Sequence, residues 1–191
     1  MKNVTVLIVG YPGVGKTTTG QALEKLDKKL RLIDFDALLS PVHEKIQINK
    51  TMPNYKWLKT HLKAELKLKM VDFVMYSDVS DNGFIFSSTN SVTRGSRMFV
   101  KKIRHFAKKR GTILVPIILK CDLKKHSDRI QKRKSNPMQS SCLSDLQDRF
   151  KRKSPTIKDK YRLEIDNTNQ TPIQTARIIL KHIKKIQNSQ I

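Results

Sequence analysis

The chain has 191 residues, 39 Lys and Arg against 16 Asp and Glu, a formal charge of +23 and a hydrophobic fraction of 38%. That length suits one α/β domain with a small lid. The absence of any run of about 18 apolar residues argues against a membrane-spanning helix. Met1-Lys2-Asn3 leads straight into a strand and Cys121 and Cys142 make no disulfide or metal spacing, so neither a signal peptide nor an oxidising compartment is expected and a cytoplasmic protein is.

Val4-Thr5-Val6-Leu7-Ile8-Val9 is β-branched and almost wholly apolar. It predicts a central parallel strand buried on both faces. Gly10-Tyr11-Pro12-Gly13-Val14-Gly15-Lys16-Thr17 follows and reads G-x-x-x-x-G-K-[ST], a phosphate-binding loop. Its glycines let successive N–H groups curl inward towards phosphate oxygens. Lys16 is placed to reach the β- and γ-phosphates, with the Thr17 hydroxyl on a Mg²⁺ that bridges them and Thr18 beside it. Residues 16–27 then read as a helix, with Ala22, Leu23 and Leu26 at helical spacing. Its positive end would face the same anion.

Leu30-Arg31-Leu32-Ile33 predicts a second strand, ending in Asp34-Phe35-Asp36. Carboxylates at the C-terminal end of a parallel strand sit where such sheets bind ligands. Asp34 is read as the metal-side carboxylate and Asp36 as the general base or acceptor ligand. The structural alternative is that Asp36 caps a helix starting at Ala37. Residues 40–55 read as irregular or partly helical. A long helix from Lys56 to about Tyr76 carries Trp57, Leu58, Leu62, Leu66, Met70, Phe73 and Val74 as a core stripe, with Lys59, Lys63, Lys67 and Lys69 on other faces.

Gly83 to Ser88 predicts a third strand, with Ser87 and Ser88 where many phosphate-loop enzymes place an Asp. Residues 95–109 predict a helix with Met98, Phe99, Ile103, Phe106 and Ala107 on one side and Arg97, Lys101, Lys102, Arg104, Lys108 and Lys109 on the other. The basic side is either solvated or a nucleic-acid patch. Thr112 to Leu119 is a fourth strand in which Pro116 signals a bulge or an edge. Residues 122–134 form a helix on which Arg129 and Arg133 share one face, suited to clamping a moving phosphoryl group. With the helix at 141–152 and Arg149 and Arg152, residues 122–153 read as a closing lid. Tyr161 to Ile165 is a fifth strand. Thr171 caps a last helix with Pro172 at its first position and Ile173, Ala176, Ile179, Leu180, Ile183 and Ile186 as its core stripe.

This alternation predicts a three-layer α/β/α sandwich with a five-stranded parallel sheet, a P-loop NTPase fold in a single domain over residues 1–191. The chain resembles the small P-loop kinases of the nucleoside monophosphate kinase type. Gly15-Lys16-Thr17 to Gly20 with Leu32 to Leu38 is similar to the opening of shikimate kinases, in which the first Asp serves Mg²⁺ and the second the substrate hydroxyls. A nearer likeness is to polynucleotide 5′-kinases and their small AAA-type ATP-binding relatives. It is carried by Gly10-Tyr11-Pro12-Gly13, by Phe86-Ser87-Ser88-Thr89-Asn90 with the basic helix after it, by Arg129 and Arg133, and by Leu146 to Pro155. Ser88 stands where that family has Asp, and Ala37 follows Asp36 where an Arg would help hold a nucleic-acid end.

The expectation is an ATP- and Mg²⁺-dependent kinase with a hydroxyl or phosphate acceptor: a nucleoside, a nucleotide or 5′-OH nucleic acid. It is taken as monomer or dimer, away from membranes. Lys16, Asp36, Arg129 and Arg133 are its catalytic candidates, Gly10 to Thr18 its nucleotide cradle, and Thr17 and Asp34 its metal side. A shikimate-kinase-like enzyme of small metabolites, or a nucleotide-dependent switch or nucleic-acid-binding module, is the alternative.

Overall fold

The computed structural model describes residues 3–46, 51–77, 82–89, 94–131 and 157–189. The elements in order are β1 (Val4–Gly10), α1 (Lys16–Leu26), β2 (Leu30–Ile33), α2 (Phe35–Ile46), α3 (Tyr55–Tyr76), β3 (Gly83–Thr89), α4 (Arg94–Lys109), β4 (Ile113–Lys120), α5 (Leu123–Gln131), β5 (Leu163–Asp166) and α6 (Pro172–Asn188). The five strands form one sheet in the order β2-β3-β1-β4-β5, and every pairing is parallel. All strands therefore end on one edge, and the strand order turns back on itself around β1, which is where such sheets open a ligand crevice.

Alternation along β1 builds the two cores. Val4, Val6 and Ile8 pack with Ala22 and Leu23 of α1 and with Ala176, Ile179, Ile183 and Ile186 of α6. Leu7 and Val9 face the other way, onto Phe35 and Leu39 of α2, Val71 and Met75 of α3, and Phe99, Ile103 and Phe106 of α4. Thr5, fully buried, pairs its hydroxyl with that of Thr112 at 2.6 Å, so β1 carries no unsatisfied side chain there. Thr171 and Gln174 form a reciprocal capping box at the start of α6.

Several expectations are corrected by the packing. Residues 35–46 are continuous helix despite Pro41. Burial of Phe35 and Leu39 offsets the lost backbone bond, worth about 3 kcal/mol. In α3, Trp57 is 59% and Phe73 78% exposed, while Val71 and Met75 are buried. Leu66, Met70 and Val74 of the expected stripe pack on the core, partly buried, while Trp57 and Phe73 turn outward. Met98 and Ile173 also point outward. Pro116 lies in β4, an interior strand, but β5 pairs with β4 only from Ile117 onward. Among the described residues Pro116 thus has a strand partner on the β1 side alone. Arg110 closes α3, donating to the carbonyls of Val74, Met75 and Ser77 at 3.1–3.4 Å with its guanidinium over Phe84. On the basic face of α4, Lys102 pairs with Asp72 and Arg104 donates to the Lys158 carbonyl at 2.7 Å. No helix among the described residues is long and apolar enough to cross a membrane.

Candidate active site

The loop from Gly10 to Thr17 joins the end of β1 to the start of α1. Gly13 (φ 94°) and Gly15 (φ 97°) are both left-handed, which only glycine adopts without strain. The Lys16 ammonium folds back onto the loop and donates to the carbonyls of Gly10 (3.0 Å) and Tyr11 (2.9 Å). A phosphate would offer the same ammonium a charged partner in place of two neutral ones. Thr18 is exposed and its hydroxyl donates to the Gly15 carbonyl at 3.0 Å. No side chain caps α1, so its first N–H groups keep their capacity for an anion.

Three residues that the sequence reading did not single out hold this loop from behind. The Asn167 amide, at the end of β5 and buried, donates to the Val14 carbonyl at 2.7 Å. His126 on α5 has Nε2 in hydrogen-bond contact with the Pro12 carbonyl. Ile130 approaches so closely that a Cβ on Gly13 would lie 2.7 Å from its Cγ1. Arg129 completes the clamp. Its guanidinium donates to the carbonyls of Asn167 (2.9 Å) and Thr168 (3.2 Å), with longer contacts to Asn167 Oδ1 (3.3 Å) and the Val14 carbonyl (3.5 Å). The signal available in the sequence was position: Asn167 follows a strand at the ligand edge, and His126, Arg129 and Ile130 share a helix face. Arg133, Arg149 and Arg152, with most of the expected lid, lie outside the described residues.

On the other side of β1, Ser88 and Thr89 of β3 sit beside Val9 and Gly10. Ser88 is buried and Ser87 half-buried. Beyond them Asp34 ends β2. Its Oδ1 accepts from the backbone N–H of Asp36 (3.1 Å) and of Ala37 (3.3 Å). Asp34, and not Asp36, therefore caps α2, and that helix starts at Phe35, two residues before the expected Ala37. Phe35 is buried against Phe86 and Phe99, which pins both flanking carboxylates to the sheet edge.

Asp36 is left to other partners. Lys63 of α3 meets its Oδ1 at 2.6 Å, both side chains about a third exposed or less. Burial opposes the ionised carboxyl, but the charges of Lys63, Lys67 and Lys16 outweigh it and hold Asp36 below its ordinary value. Lys67, one turn on, has its ammonium 5.2 Å from the centre of the Phe35 ring. Burial, with Lys63 adding repulsion, brings it down to about 8 against the opposing pull of Asp36 and Asp34. The sequence offered the i, i+4 spacing of Lys63 and Lys67 and placed both off the apolar stripe, but it did not show that they face Asp36.

The parallel sheet, its strand order and the loop at its carboxyl edge define a small P-loop kinase fold. The chain belongs to the AAA domain family, whose pattern matches residues 6–153. Among solved structures, a gluconokinase from Sinorhizobium meliloti 1021 is similar at TM-score 0.62 and 16% identity, over 97% of this chain and 94% of that one. A sugar kinase from Janibacter sp. HTCC2649 gives 0.59 and 18%, over 96% and 95%. The APS kinase of Mycobacterium tuberculosis, solved with AMPPNP and APS, gives 0.57 and 13%, over 96% and 98%. No curated protein matches the chain in sequence.

Proposed function

We propose that the protein is an ATP- and Mg²⁺-dependent phosphotransferase that moves the γ-phosphoryl group of ATP to a hydroxyl or phosphate acceptor. The observation that carries this reading is the phosphate loop after β1 and the Asp34–Asp36 turn after β2, both at the carboxyl edge of one parallel sheet. Phosphoryl transfer is chiefly positioning and charge stabilisation. The loop N–H groups and Lys16 hold the β- and γ-phosphates, and Asp36 accepts a hydrogen bond from the acceptor hydroxyl. A carboxylate held below its ordinary value takes a proton poorly from a free alcohol. In a loose transition state the proton leaves late, once the oxygen has begun to bond phosphorus, so Asp36 need not be a strong base.

Magnesium suits this donor set as a companion of the nucleotide. Among the described residues no group of three or more His, Cys, Asp or Glu could hold a metal ion by itself, and Mg²⁺ in such sites takes most of its ligands from phosphates and water. Thr17 and the remaining oxygen of Asp34 would hold the ion or its waters, and the ion would neutralise charge on the phosphates. Arg129, with its guanidinium on four loop acceptors, serves as a positioning residue. Arg133 stays the candidate for charge stabilisation from a lid over 122–153.

The acceptor classes the sequence brings forward are nucleosides, nucleotides and 5′-OH nucleic acid, with small metabolites such as shikimate as the alternative. ADP release from Mg-ATP against that panel, with Lys16→Ala as the blank, tests the reading. Stimulation by one class over the blank supports a kinase. ATP binding with no stimulation by any member would favour a nucleotide-dependent switch.

A further inference from the structure

The lysines around Asp36 point to the acceptor. Lys63 meets its Oδ1 at 2.6 Å, Lys67 stands one turn on with its ammonium 5.2 Å from the centre of the Phe35 ring, and among the described residues the charges of Lys63, Lys67 and Lys16 all reach Asp36. Asp34 has one oxygen committed to the backbone of α2. Lys16 is the phosphate-loop lysine, so in the loaded enzyme its charge goes to ATP. Lys63 has Asp36. Among the described residues no carboxylate lies within ion-pair distance of Lys67; its ammonium rests over the Phe35 ring. Asp34 and Asp36 act on it only from beyond that distance, so the half-buried ammonium has no contacting counter-charge there, an arrangement that a charged ligand can complete.

We propose that the acceptor is itself an anion: a small molecule whose reacting hydroxyl meets Asp36 while a carboxylate or phosphate on the same molecule pairs with Lys63 and Lys67. This rests on the kinase reading above. The two lysines are four residues apart on α3 and so present one face, and that face meets the carboxylate at the end of β2 beside the phosphate loop. In the transfer itself, the acceptor oxygen bonds to the γ-phosphorus. The bond from that phosphorus to the β–γ bridging oxygen breaks, its electron pair leaves on ADP, and the hydroxyl proton passes to Asp36 and on to water.

The test compares matched acceptors on the wild-type chain with Mg-ATP: glucose against gluconate, glycerol against glycerate and glycerol phosphate, adenosine against 3′-AMP, and a 5′-OH oligonucleotide. The expected result is that a charged small acceptor is phosphorylated with kcat/KM at least about tenfold above its neutral counterpart. Lys63→Met and Lys67→Met should then raise its KM by roughly 10- to 100-fold, the range for losing a charged hydrogen bond. Lys→Arg at either position should recover part of that, with melting temperatures confirming that the variants fold. A neutral acceptor used as well as its charged counterpart, or the oligonucleotide used in preference to every small anion, would overturn the proposal and leave the kinase reading standing. If no acceptor raises ADP release above Lys16→Ala, the kinase reading falls and the proposal with it. The wild-type comparison needs no variant, so a misfolded Lys67→Met would not blunt it.

Discussion

The side-chain amide of Asn167 holds the backbone carbonyl of Val14 at 2.7 Å, across 153 residues of sequence. The bond ties the phosphate loop to the loop after β5, and Arg129 braces the same two segments. Replacing Asn167 with Ala leaves a loop carbonyl without its buried donor, a loss of about 1–3 kcal/mol. Because the bond fixes the loop, ATP affinity should fall along with stability. Urea unfolding and nucleotide titration of Asn167→Ala check both. A variant that unfolds earlier yet binds ATP as before would show that Asn167 serves the fold only.

Gly13→Ala strikes the same region through the backbone. Its left-handed conformation (φ 94°) costs an L-residue about 1–2 kcal/mol, and the added methyl would meet Ile130 Cγ1 at 2.7 Å and His126 Nε2 at 3.0 Å. The expected outcome is a lower melting temperature than for Gly111→Ala. Gly111 is also left-handed (φ 63°), but a Cβ there meets nothing within 4 Å. The difference between the two variants isolates the clash from the backbone strain.

Lys16→Ala removes the charge from the transferring phosphates. The expected loss in turnover is at least roughly 100-fold, as for other single charge-stabilising donors. It also deletes the two bonds to the Gly10 and Tyr11 carbonyls. Its nucleotide-free form should therefore melt slightly lower as well, which differential scanning calorimetry would register.

Lys67 gives the site a pH signature. Its ammonium faces Lys63 on its own helix and Asp34 and Asp36 across from it, and its value is brought from 10.5 to about 8. Between those two values the unfolded chain keeps a proton that the folded chain has shed, so folding stability climbs with pH through that window. Lys67→Met should flatten the climb, measured as denaturation midpoints across it. Asp36→Asn removes a charge that favours the protonated amine, so the Lys67 titration followed by NMR should move below about 8. The same variant should cut kcat by roughly 10²–10⁴-fold if Asp36 takes the proton.

What was legible in the sequence followed backbone chemistry. Val4 to Val9 read as a buried strand because no polar residue but Thr5 interrupts it. Thr171 and Pro172 marked the start of α6 because a cap and a fixed φ act locally. The rest depended on neighbours. Pro116 fits β4 because β5 begins opposite Ile117, which no single strand reveals. On α3 the expected stripe holds at Leu66, Met70 and Val74, which pack on the core, and fails at Trp57 and Phe73, which look like core by residue type but are exposed while Val71 and Met75 are buried. Lys63 and Lys67 were invisible as site residues for the same reason: a rotation of α3 about its axis decides whether they meet water or Asp36. The cap weighed as the alternative role of Asp36 falls to Asp34, because Phe35, drawn into the core, starts the helix earlier.

The packing of α6 on α1 bears on how the protein is made. Ala22 and Leu23, on the helix that follows the phosphate loop, pack in one core with Ala176, Ile179 and Ile183, which are synthesised long after them. In that interval the apolar flank of α1 lacks the cover that α6 gives it. The nascent chain is thus more open to chaperones and to aggregation until α6 emerges.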